Sequence, residues 1–255
     1  MGRLDQRVVI VTGGGHGIGR AYCLGVAREG ARVVTADIVE KAARAVADEI
    51  TNQGGHALAV HVDVAEEQSA AAMVRAALDR FGTIDVLINN AAFFLRPVPV
   101  ARRTFDQIPV AEWDRMMAVN LKSVFLCSRA VVPTMKANRR GKIINVSSST
   151  VFIGREGFAH YVTSKAGVIG FTRVLARELG EFGITANVVA PGLTKSEDEI
   201  TDAVRARHEE LTRQRCLKRI EVPEDLVGTI LFLASSDSDF ITGQTILVDG
   251  GGSFI

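Results

Sequence analysis

Short apolar runs alternate with longer segments of helical period along most of the chain. The runs have strand length and are rich in β-branched residues; they are Val8–Thr12, Arg32–Asp37, Ala57–Asp63, Val86–Asn89, Lys142–Ser147, Thr185–Ala190 and Thr245–Val248. The segments between them are predicted helices; they are Gly17–Glu29, Glu40–Gln53, Glu66–Phe81, Glu112–Lys136, Tyr161–Phe182 and Pro223–Ser235. Nearly continuous apolar strands that alternate with helices indicate a parallel sheet covered on both faces, because right-handed crossovers place the helices there.

The predicted fold is a single α/β domain over residues 1–255, with a Rossmann-type doubly wound parallel sheet of about seven strands. Two predicted connections are too long to be simple turns: Ala92–Ala111, and the charged, partly helical segment Gly192–Val222. Both follow strands, and ligands of such folds bind beyond the carboxyl ends of the strands. We therefore expect both connections to border the ligand crevice, with a substrate loop at about residues 193–222.

The composition excludes several classes of function. The 255 residues include 30 basic and 29 acidic side chains with no long run of either sign, so nothing recruits nucleic acid or an anionic membrane. Cys23, Cys127, Cys216 and the five histidines lack metal-ligand spacing, which predicts no metal site. The sequence shows no signal-peptide pattern and no apolar segment near the roughly 18 residues of a membrane span. We expect a reduced, cytoplasmic protein whose partner is a small molecule.

A glycine-rich turn joins the first predicted strand to the first predicted helix. Its sequence is Thr12-Gly13-Gly14-Gly15-His16-Gly17-Ile18-Gly19. Glycines at 13, 17 and 19 allow a tight turn, close backbone approach to a pyrophosphate, and close packing of helix on strand. The exposed amides and the helix N-terminus favour an anion. The turn therefore predicts a dinucleotide site.

An aspartate ends the second predicted strand and indicates which dinucleotide binds. Asp37 can accept hydrogen bonds from a ribose 2′-OH and would repel a 2′-phosphate. Position 16 is histidine, and no arginine or lysine replaces Asp37, so the pattern favours NAD over NADP. The alternative is that Asp37 only caps the next helix. Asp63 follows the third strand and is either an acceptor for the adenine amino group or a simple strand-end residue.

Tyr161 and Lys165 lie one helical turn apart and share a face of a predicted helix. An isolated tyrosine has a pKa of about 10 and is a poor base near neutrality, but an adjacent ammonium stabilises the phenolate. The apolar run that ends in Ser147-Ser148 indicates a buried strand whose hydroxyls open onto a site, where one of them can donate to an oxygen that develops negative charge. The alternative for the tyrosine–lysine pair is a plain surface contact.

Taken together, these pieces make the chain resemble the classical short-chain dehydrogenase/reductase family nearly end to end. The shared motifs are Thr12-Gly13-x-x-x-Gly17-x-Gly19, Asp63-Val64, Asn89-Asn90-Ala91-Ala92, Asn120, Ser148, Tyr161-x-x-x-Lys165, Pro191-Gly192, and Ile241-Thr242-Gly243-Gln244 leading to Asp249-Gly250-Gly251. The family's last motif residue at position 92 is usually glycine, and the connection before Asn120 is a few residues longer than usual. No substrate is therefore carried over from a relative.

The resemblance implies a catalytic set of four residues. Tyr161 would be the general acid/base, and Lys165 would lower its pKa and hold the nicotinamide ribose. Ser148 would polarise the substrate carbonyl, and it is preferred to its serine neighbours because it stands thirteen residues before the tyrosine. Asn120 would anchor a water in the proton relay to Lys165.

The resemblance also implies the cofactor contacts and the assembly. The cofactor would touch residues from every strand end of the crevice; they are Gly13, Gly15, His16, Gly17, Ile18, Gly19, Asp37, Ile38, Asp63, Val64, Asn90, Ala91, Tyr161, Lys165, Pro191, Gly192 and Thr194. Asn89 would stabilise the sheet nearby. A homotetramer is expected, with Lys122–Met135 and Val168–Glu181 at one interface and the C-terminal helix and strand near Thr245 at another.

The predicted activity is reversible hydride transfer between NAD and a secondary alcohol or ketone. The pocket walls are expected from Phe93, Phe94, Leu95, Ser148, Val151, Phe152, Ile153, Phe158 and Leu193. These are mainly apolar and aromatic, which favours a hydrophobic or ring-bearing substrate. Two alternatives stay open: a 3-oxoacyl-thioester reductase, and a NAD-binding regulatory protein without catalysis.

Overall fold

Seven parallel strands form one sheet in the computed structural model, which describes residues 2–94, 100–196 and 202–255. The strands are β1 (Val8–Thr12), β2 (Arg32–Asp37), β3 (His56–His61), β4 (Val86–Asn89), β5 (Gly141–Val146), β6 (Ile184–Pro191) and β7 (Thr245–Val248). Their spatial order is β3-β2-β1-β4-β5-β6-β7. The chain reverses its direction of winding between β1 and β4, so a crevice opens there at the carboxyl edge. The predicted fold class is confirmed.

Helices cover both faces of the sheet. They are α1 (Gly17–Arg28), α2 (Glu40–Asn52), α3 (Glu67–Phe81), α4 (Val110–Met117), α5 (Ser123–Ala137), α6 (Thr150–Ile153), α7 (Ala159–Leu179), α8 (Asp202–Gln214) and α9 (Glu224–Ala234). One core cluster joins α1, α2 and α9 to the sheet, and a second joins α3, α5 and α7 to its other face. Burial of these apolar side chains on both faces is the main stabilising term, at roughly 25 cal/mol per Å² removed from water.

The predicted strands agree with the structure to within two residues, and β1, β2, β4 and β7 match it residue for residue. The third strand ends at His61 rather than Asp63, because the Asp63 side chain accepts a hydrogen bond from the Ala65 amide at 2.9 Å and turns the chain there. The predicted helix Glu112–Lys136 is wrong as a regular helix: it is α4 and α5 joined by a π-helical turn, Ala118–Lys122. The short helix α6 was not predicted.

The helical stretch Val110–Ala137 is long and apolar enough to cross a membrane by length and composition, a test that buried core helices also pass. An 18-residue window of this stretch has a mean hydropathy of 1.2, and Leu126, Val131 and Met135 of the stretch pack into the second core cluster. This packing against the sheet explains the apolar composition of the stretch.

Side-chain amides tie the strands together below the crevice. Asn89 on β4 donates to Asn145 on β5 at 2.8 Å and to Ser128 on α5 at 3.2 Å, and all three side chains are buried. At the strand tips, Asn90 donates to the carbonyl oxygens of Thr12 and Gly13 at 3.0 and 3.2 Å. The Asn90 bonds hold the glycine-rich turn and the end of β4 together, because one half-buried side-chain amide satisfies two backbone carbonyl groups.

Candidate active site

A cleft of about 700 Å³ lies at the carboxyl edge of the sheet and gathers most of the predicted site. The predicted residues that line it are Gly13, His16, Gly17, Ile18, Gly19, Asp37, Ile38, Asp63, Val64, Asn90, Ala91, Phe93, Phe94, Ser148, Tyr161, Lys165, Pro191, Gly192, Leu193 and Thr194. These residues lie in the segments that follow six of the seven strands described. Residues distant in sequence therefore meet at one edge, as parallel-strand topology requires.

Six predicted residues lie in the described ranges but do not line the cleft, among them Phe152 and Ile153 on α6. Gly15 sits beneath the lining, where its amide donates to Asp37 at 2.9 Å. Asn120 is fully buried behind Phe93, and Val151 is half-buried on α6. Phe158 is buried and supports Phe94 from behind, with ring centroids 5.4 Å apart. Leu95 and residues 197–201 of the predicted substrate loop lie outside the described residues.

Tyr161 stands at the start of α7, with its ring half-buried in the cleft. Its ring lies 4.2 Å from that of Phe94, so one wall of the reaction site is aromatic. Burial raises the pKa of Tyr161, while a hydrogen bond with Ser148 and the charge of Arg155 lower it. The tyrosine is therefore a proton donor at rest, and it needs added positive charge nearby to act as a base at neutral pH.

Lys165 supplies a cation one turn along the same helix. Its Nζ is buried, donates to the carbonyl oxygen of Val146 at 2.8 Å, and lies 5.9 Å from the centre of the Tyr161 ring. Burial lowers the pKa of Lys165 to about 8. An amine with such a pKa can gain and lose a proton close to neutrality, which is the property a proton relay needs.

The three serines after β5 have separate roles. Ser147 donates its hydroxyl to the carbonyl oxygen of Lys165 at 2.8 Å and so ties β5 to α7. The backbone amide of Ser149 donates to Pro191 at 2.9 Å. Ser148 faces the cleft, where its Oγ bonds Tyr161 and accepts from the Thr150 hydroxyl at 2.9 Å. Ser148 is therefore the serine placed to contact a substrate oxygen.

Asn120 lies in the π-helical turn between α4 and α5. Its Oδ1 accepts from the Phe93 amide at 2.7 Å, and its Nδ2 donates to the Phe93 carbonyl at 3.3 Å. Both backbone groups of Phe93 are thus held by one side chain. A π turn shifts the residues after it out of helical register and is common at functional sites. Here it aims Asn120 at the cleft wall.

Glycines, which have no side chain, and one carboxylate shape the nucleotide end of the cleft. Gly13 and Gly17 have φ values of +65° and +47°, which favour glycine. A Cβ on Gly19 would lie 2.0 Å from the Gly13 carbonyl oxygen. Asp37 accepts from the amides of Gly15 and Val39, both at 2.9 Å, which leaves further lone pairs on each oxygen. This cradle fits a dinucleotide, with its pyrophosphate at the α1 N-terminus and a ribose beside Asp37.

On the wall of the cleft that follows β6, the orientation of the Thr194 hydroxyl is fixed by a hydrogen bond. Its hydroxyl donates to Glu221 at 2.7 Å, so only its lone pairs are available in the cleft. Burial raises the pKa of Glu221, while the Thr194 bond and the charge of Arg215 lower it. Arg215 lies 3.5 Å from Glu221 and donates to the Leu193 carbonyl at 2.9 Å. Thr194 is therefore presented as an acceptor, which suits the amide N–H₂ of a nicotinamide carboxamide.

Sequence reasoning missed several residues that line the cleft, among them Arg115, Val119 and Thr150, whereas Ser196, which also lines it, lies in the predicted substrate loop. Thr150 could have been found, since it follows the serine run directly. The position of Arg115 depends on how α4 packs on Phe93, for which the sequence carries no signal. Among the described residues, no group of three His, Cys, Asp or Glu side chains could hold a metal ion.

Comparisons with known proteins agree with this geometry. A sequence model of the family described as enoyl-(acyl carrier protein) reductase matches residues 13–253. A dehydrogenase subunit from Thauera aromatica, named (2S)-[(R)-hydroxy(phenyl)methyl]succinyl-CoA dehydrogenase subunit BbsD, is 40% identical over 252 residues, covering 98% of each chain. A 3-oxoacyl-(acyl-carrier-protein) reductase from Staphylococcus aureus is 40% identical and covers 95% of this chain and 96% of its own.

A second 3-oxoacyl-(acyl-carrier-protein) reductase, from Synechocystis, is 39% identical over 254 residues, covering 98% of each chain. A crystal structure described as a short-chain alcohol dehydrogenase from Sinorhizobium meliloti superposes with a TM-score of 0.91 at 30% identity, again covering 98% of each chain. The similarity therefore extends over the whole sheet and its cleft.

Proposed function

Since this chain belongs to the short-chain dehydrogenase/reductase family and is an oxidoreductase acting on CH–OH groups, we propose that it transfers hydride between NAD and a hydrophobic secondary alcohol or ketone. One observation carries the proposal: Ser148, Tyr161 and Lys165 converge at the end of the cleft opposite the glycine-rich turn. The nicotinamide ring accepts or gives the hydride when bound.

The protein's own groups manage the proton and the oxygen. In the oxidative direction Tyr161 takes the hydroxyl proton of the substrate, and Ser148 donates a hydrogen bond to the same oxygen as its charge develops. Lys165, charged below a pH of about 8, stabilises the phenolate and then passes a proton outward past Asn120. Thr194 and the ends of β4 and β6 would hold the nicotinamide when it is bound.

Tyr161→Phe tests the acid/base role, because it keeps the ring stacked on Phe94 and removes only the hydroxyl. We expect turnover to fall by about 100-fold or more, since general acid–base catalysis contributes on the order of 10²–10⁴. The assay follows NADH absorbance across a panel of aliphatic, aromatic and hydroxyacyl alcohols. Near-normal turnover by the variant would overturn the mechanism, and NAD binding without turnover of any alcohol would favour the non-catalytic alternative.

The preference for NAD over NADP rests on Asp37. A carboxylate at the ribose repels a 2′-phosphate, and two arginines of α1 and α2 are paired with carboxylates: Arg20 binds Glu49 at 2.8 Å through both oxygens, and Arg44 binds Glu40. We expect Asp37→Ala to weaken NAD binding and to narrow the ratio of kcat/KM for NAD over NADP by at least about tenfold. Asp48→Ala, an acidic deletion on the exposed side of α2, is the matched control. A ratio unchanged by Asp37→Ala would place the specificity elsewhere.

The substrate is proposed to be ring-bearing or otherwise apolar. The support is the aromatic wall formed by Phe93 and Phe94 beside Tyr161, together with the phenyl group in the name of the Thauera relative's substrate. The second candidate is a 3-oxoacyl-thioester reductase, which the names of the Staphylococcus and Synechocystis relatives favour. Relative kcat/KM for a 1-aryl alcohol and for a 3-hydroxyacyl thioester separates the two.

We also propose a cytoplasmic homotetramer. Phe125 on α5 and Val174 on α7 are 41% and 48% exposed, and Phe240 near β7 is fully exposed. Apolar side chains of this size on the two predicted interface surfaces are consistent with burial between copies. Sedimentation equilibrium of the intact protein tests the assembly, and a monomeric mass would remove it.

A further inference from the structure

Each of the two catalytic residues on α7 directly follows a residue that bonds to a neighbouring helix. His160 precedes Tyr161, and Ser164 precedes Lys165. His160 and Ser164 are one helical turn apart, so their side chains share one face of α7, and this face packs against α4 and the π-helical turn. Both side chains are fully buried. The catalytic pair therefore lies beside a face of α7 that is fixed by polar contacts.

The partners of His160 and Ser164 lie about two helical turns apart on the facing stretch. The Nε2 of His160 lies 3.0 Å from the Oε1 of Glu112, and the Nδ2 of Asn120 donates to the Ser164 hydroxyl at 3.4 Å. Met116 is buried between the two partners in sequence. We call the four side chains Glu112, Asn120, His160 and Ser164 the polar seam.

The bond to Glu112 sets the orientation of the His160 ring. An ionised carboxylate only accepts hydrogen bonds, so the Nε2 of His160 is the donor. The Nδ1 of the ring is buried and has no hydrogen-bond partner in the part of the chain that the structure describes. The second oxygen of Glu112, Oε2, accepts from the Arg103 guanidinium at 2.9 Å. The carboxylate that orients the histidine is therefore itself held from a second side.

Arg103 belongs to the connection after β4 that is longer than usual. Its backbone amide donates to the Gly157 carbonyl oxygen at 3.0 Å, four residues before Tyr161, and its side chain pairs with Glu112. The connection thus contacts the start of α7 directly and also through Glu112. These contacts give the added length a structural use beside the catalytic tyrosine.

We propose that Glu112 and His160 are positioning residues: through the polar seam they fix the rotation of α7 about its own axis, and so the direction in which Tyr161 and Lys165 enter the cleft. The proposal deepens the proposed function and rests on it. A helix that is bonded at two positions one turn apart cannot rotate about its axis without straining one of the bonds. Misplacement of a reacting group by about 1 Å can lower the rate about 100-fold.

Glu112→Ala removes the partner of His160 without touching the cleft lining. We expect kcat to fall at least about tenfold. The KM for NAD should stay within about twofold, because the glycine-rich turn and Asp37 lie at the other end of the cleft. Glu112→Gln keeps an acceptor oxygen for the Nε2 of His160 and should regain at least about half of the wild-type kcat.

Glu67→Ala is the matched control. Like Glu112, Glu67 lies in the first turn of a helix and pairs with an arginine, here Arg129, but it does not line the cleft or belong to the polar seam. This variant should keep the wild-type kcat. NADH fluorescence titration counts the folded dinucleotide sites of each protein, and kcat is expressed per site so that inactive protein does not imitate a loss of positioning. A kcat per site that Glu112→Ala leaves at the wild-type value overturns the proposal.

A double-mutant cycle tests whether Glu112 acts through His160. His160→Leu removes the same hydrogen bond from the other side, so it should lower kcat by a factor similar to that of Glu112→Ala. The double variant should lose no more than either single variant, because residues that act through one bond are not additive. Multiplied losses in the double variant would show two separate roles and refute the link between them.

A spectroscopic measurement tests the positioning without turnover. The chain has two tyrosines, Tyr22 and Tyr161, and Tyr22 is fully buried on α1. In protein labelled with 3-fluorotyrosine, Tyr161→Phe assigns the two fluorine resonances. We expect Glu112→Ala to shift or broaden the Tyr161 resonance and to leave that of Tyr22 unchanged.

The two kinds of measurement separate failure of the seam from failure of the proposed function. An unchanged Tyr161 resonance in Glu112→Ala overturns the positioning role, even if wild-type protein oxidises alcohols as proposed. Wild-type protein that oxidises no alcohol of the panel removes the proposed function. In that case the resonance alone decides whether the polar seam orients Tyr161.

Discussion

Gly19→Ala isolates the close approach between the first helix and the glycine-rich turn. The added Cβ would lie 2.0 Å from the Gly13 carbonyl oxygen and 2.6 Å from the Asn90 side-chain nitrogen. Ordinary contacts begin near 3.4 Å, so the turn would have to retreat by more than an ångström. Such a retreat breaks the Asn90 bonds to Thr12 and Gly13, which tie the turn to β4.

We expect overpacking together with the lost hydrogen bonds to lower the free energy of unfolding by about 2–4 kcal/mol. The same retreat moves the amides that face the pyrophosphate, so the dissociation constant of NAD should rise by at least about tenfold. Urea denaturation and NADH fluorescence titration measure the two effects separately. Substrate turnover at saturating NAD is a third, independent readout.

Gly180→Ala is the matched control for Gly19→Ala. Gly180 follows α7 with φ −59° and ψ −37°, and an alanine Cβ at this position would have no heavy atom within 4 Å beyond its own helix and chain neighbours. Alanine is preferred to glycine in such a backbone, so this variant should be stabilised by up to about 1 kcal/mol and should bind NAD normally. If Gly19→Ala keeps the wild-type unfolding midpoint and NAD affinity, the close approach is not what requires glycine at that position.

Two further variants test the buried groups of the site. Because burial lowers the folded-state pKa of Lys165 to about 8 from 10.5, the charged amine destabilises the fold fully below pH 8, and the penalty fades as pH rises from 8 to 10.5. Lys165→Met should therefore be more stable than wild type by about 2–3 kcal/mol at pH 7. In urea titrations the difference in the free energy of unfolding should shrink toward pH 10. A variant that is less stable than wild type at pH 7 would contradict this reasoning. Glu221→Ala should raise KM for NAD several-fold at nearly constant kcat, since Thr194 loses its fixed orientation. Glu221→Gln keeps an acceptor oxygen and should restore the wild-type KM. Equal KM values for all three proteins in steady-state kinetics would refute the role of Glu221.

The parts of the fold that the sequence predicted well are those with local signals. β1, β2 and β4 are mostly buried apolar runs and β7 is a half-buried one, and each of them ends at or just before a glycine, aspartate or asparagine, so their ends are visible in the sequence. Tyr161, Lys165 and Ser148 were predicted as catalytic residues because the tyrosine and the lysine share a helix face and the serine follows a strand, and all three line the cleft. These local patterns were enough to predict that the residues meet at the carboxyl edge of the sheet.

The parts that were missed depend on contacts between segments far apart in the chain. The π turn at Ala118–Lys122 has an ordinary helical composition, and only its packing on Phe93 shows why the helix is interrupted. Arg115 was assigned to a helix without a reason to face the cleft. The bond between Thr194 and Glu221 joins residues 27 positions apart, across a charged segment without strand periodicity. Such pairings become visible only when the chain is folded.

The link between Thr194 and Glu221 bears on the order in which ligands bind. The wall that would face the nicotinamide is joined to the segment after α8. Arg215 donates a hydrogen bond to the Leu193 carbonyl oxygen, and Glu221 accepts one from the Thr194 hydroxyl. A dinucleotide that presses on Thr194 would therefore also act on the segment after α8, which lies in the predicted substrate loop. We expect a compulsory sequence in which the dinucleotide adds first and leaves last, with the alcohol or ketone exchanging only while it is in place.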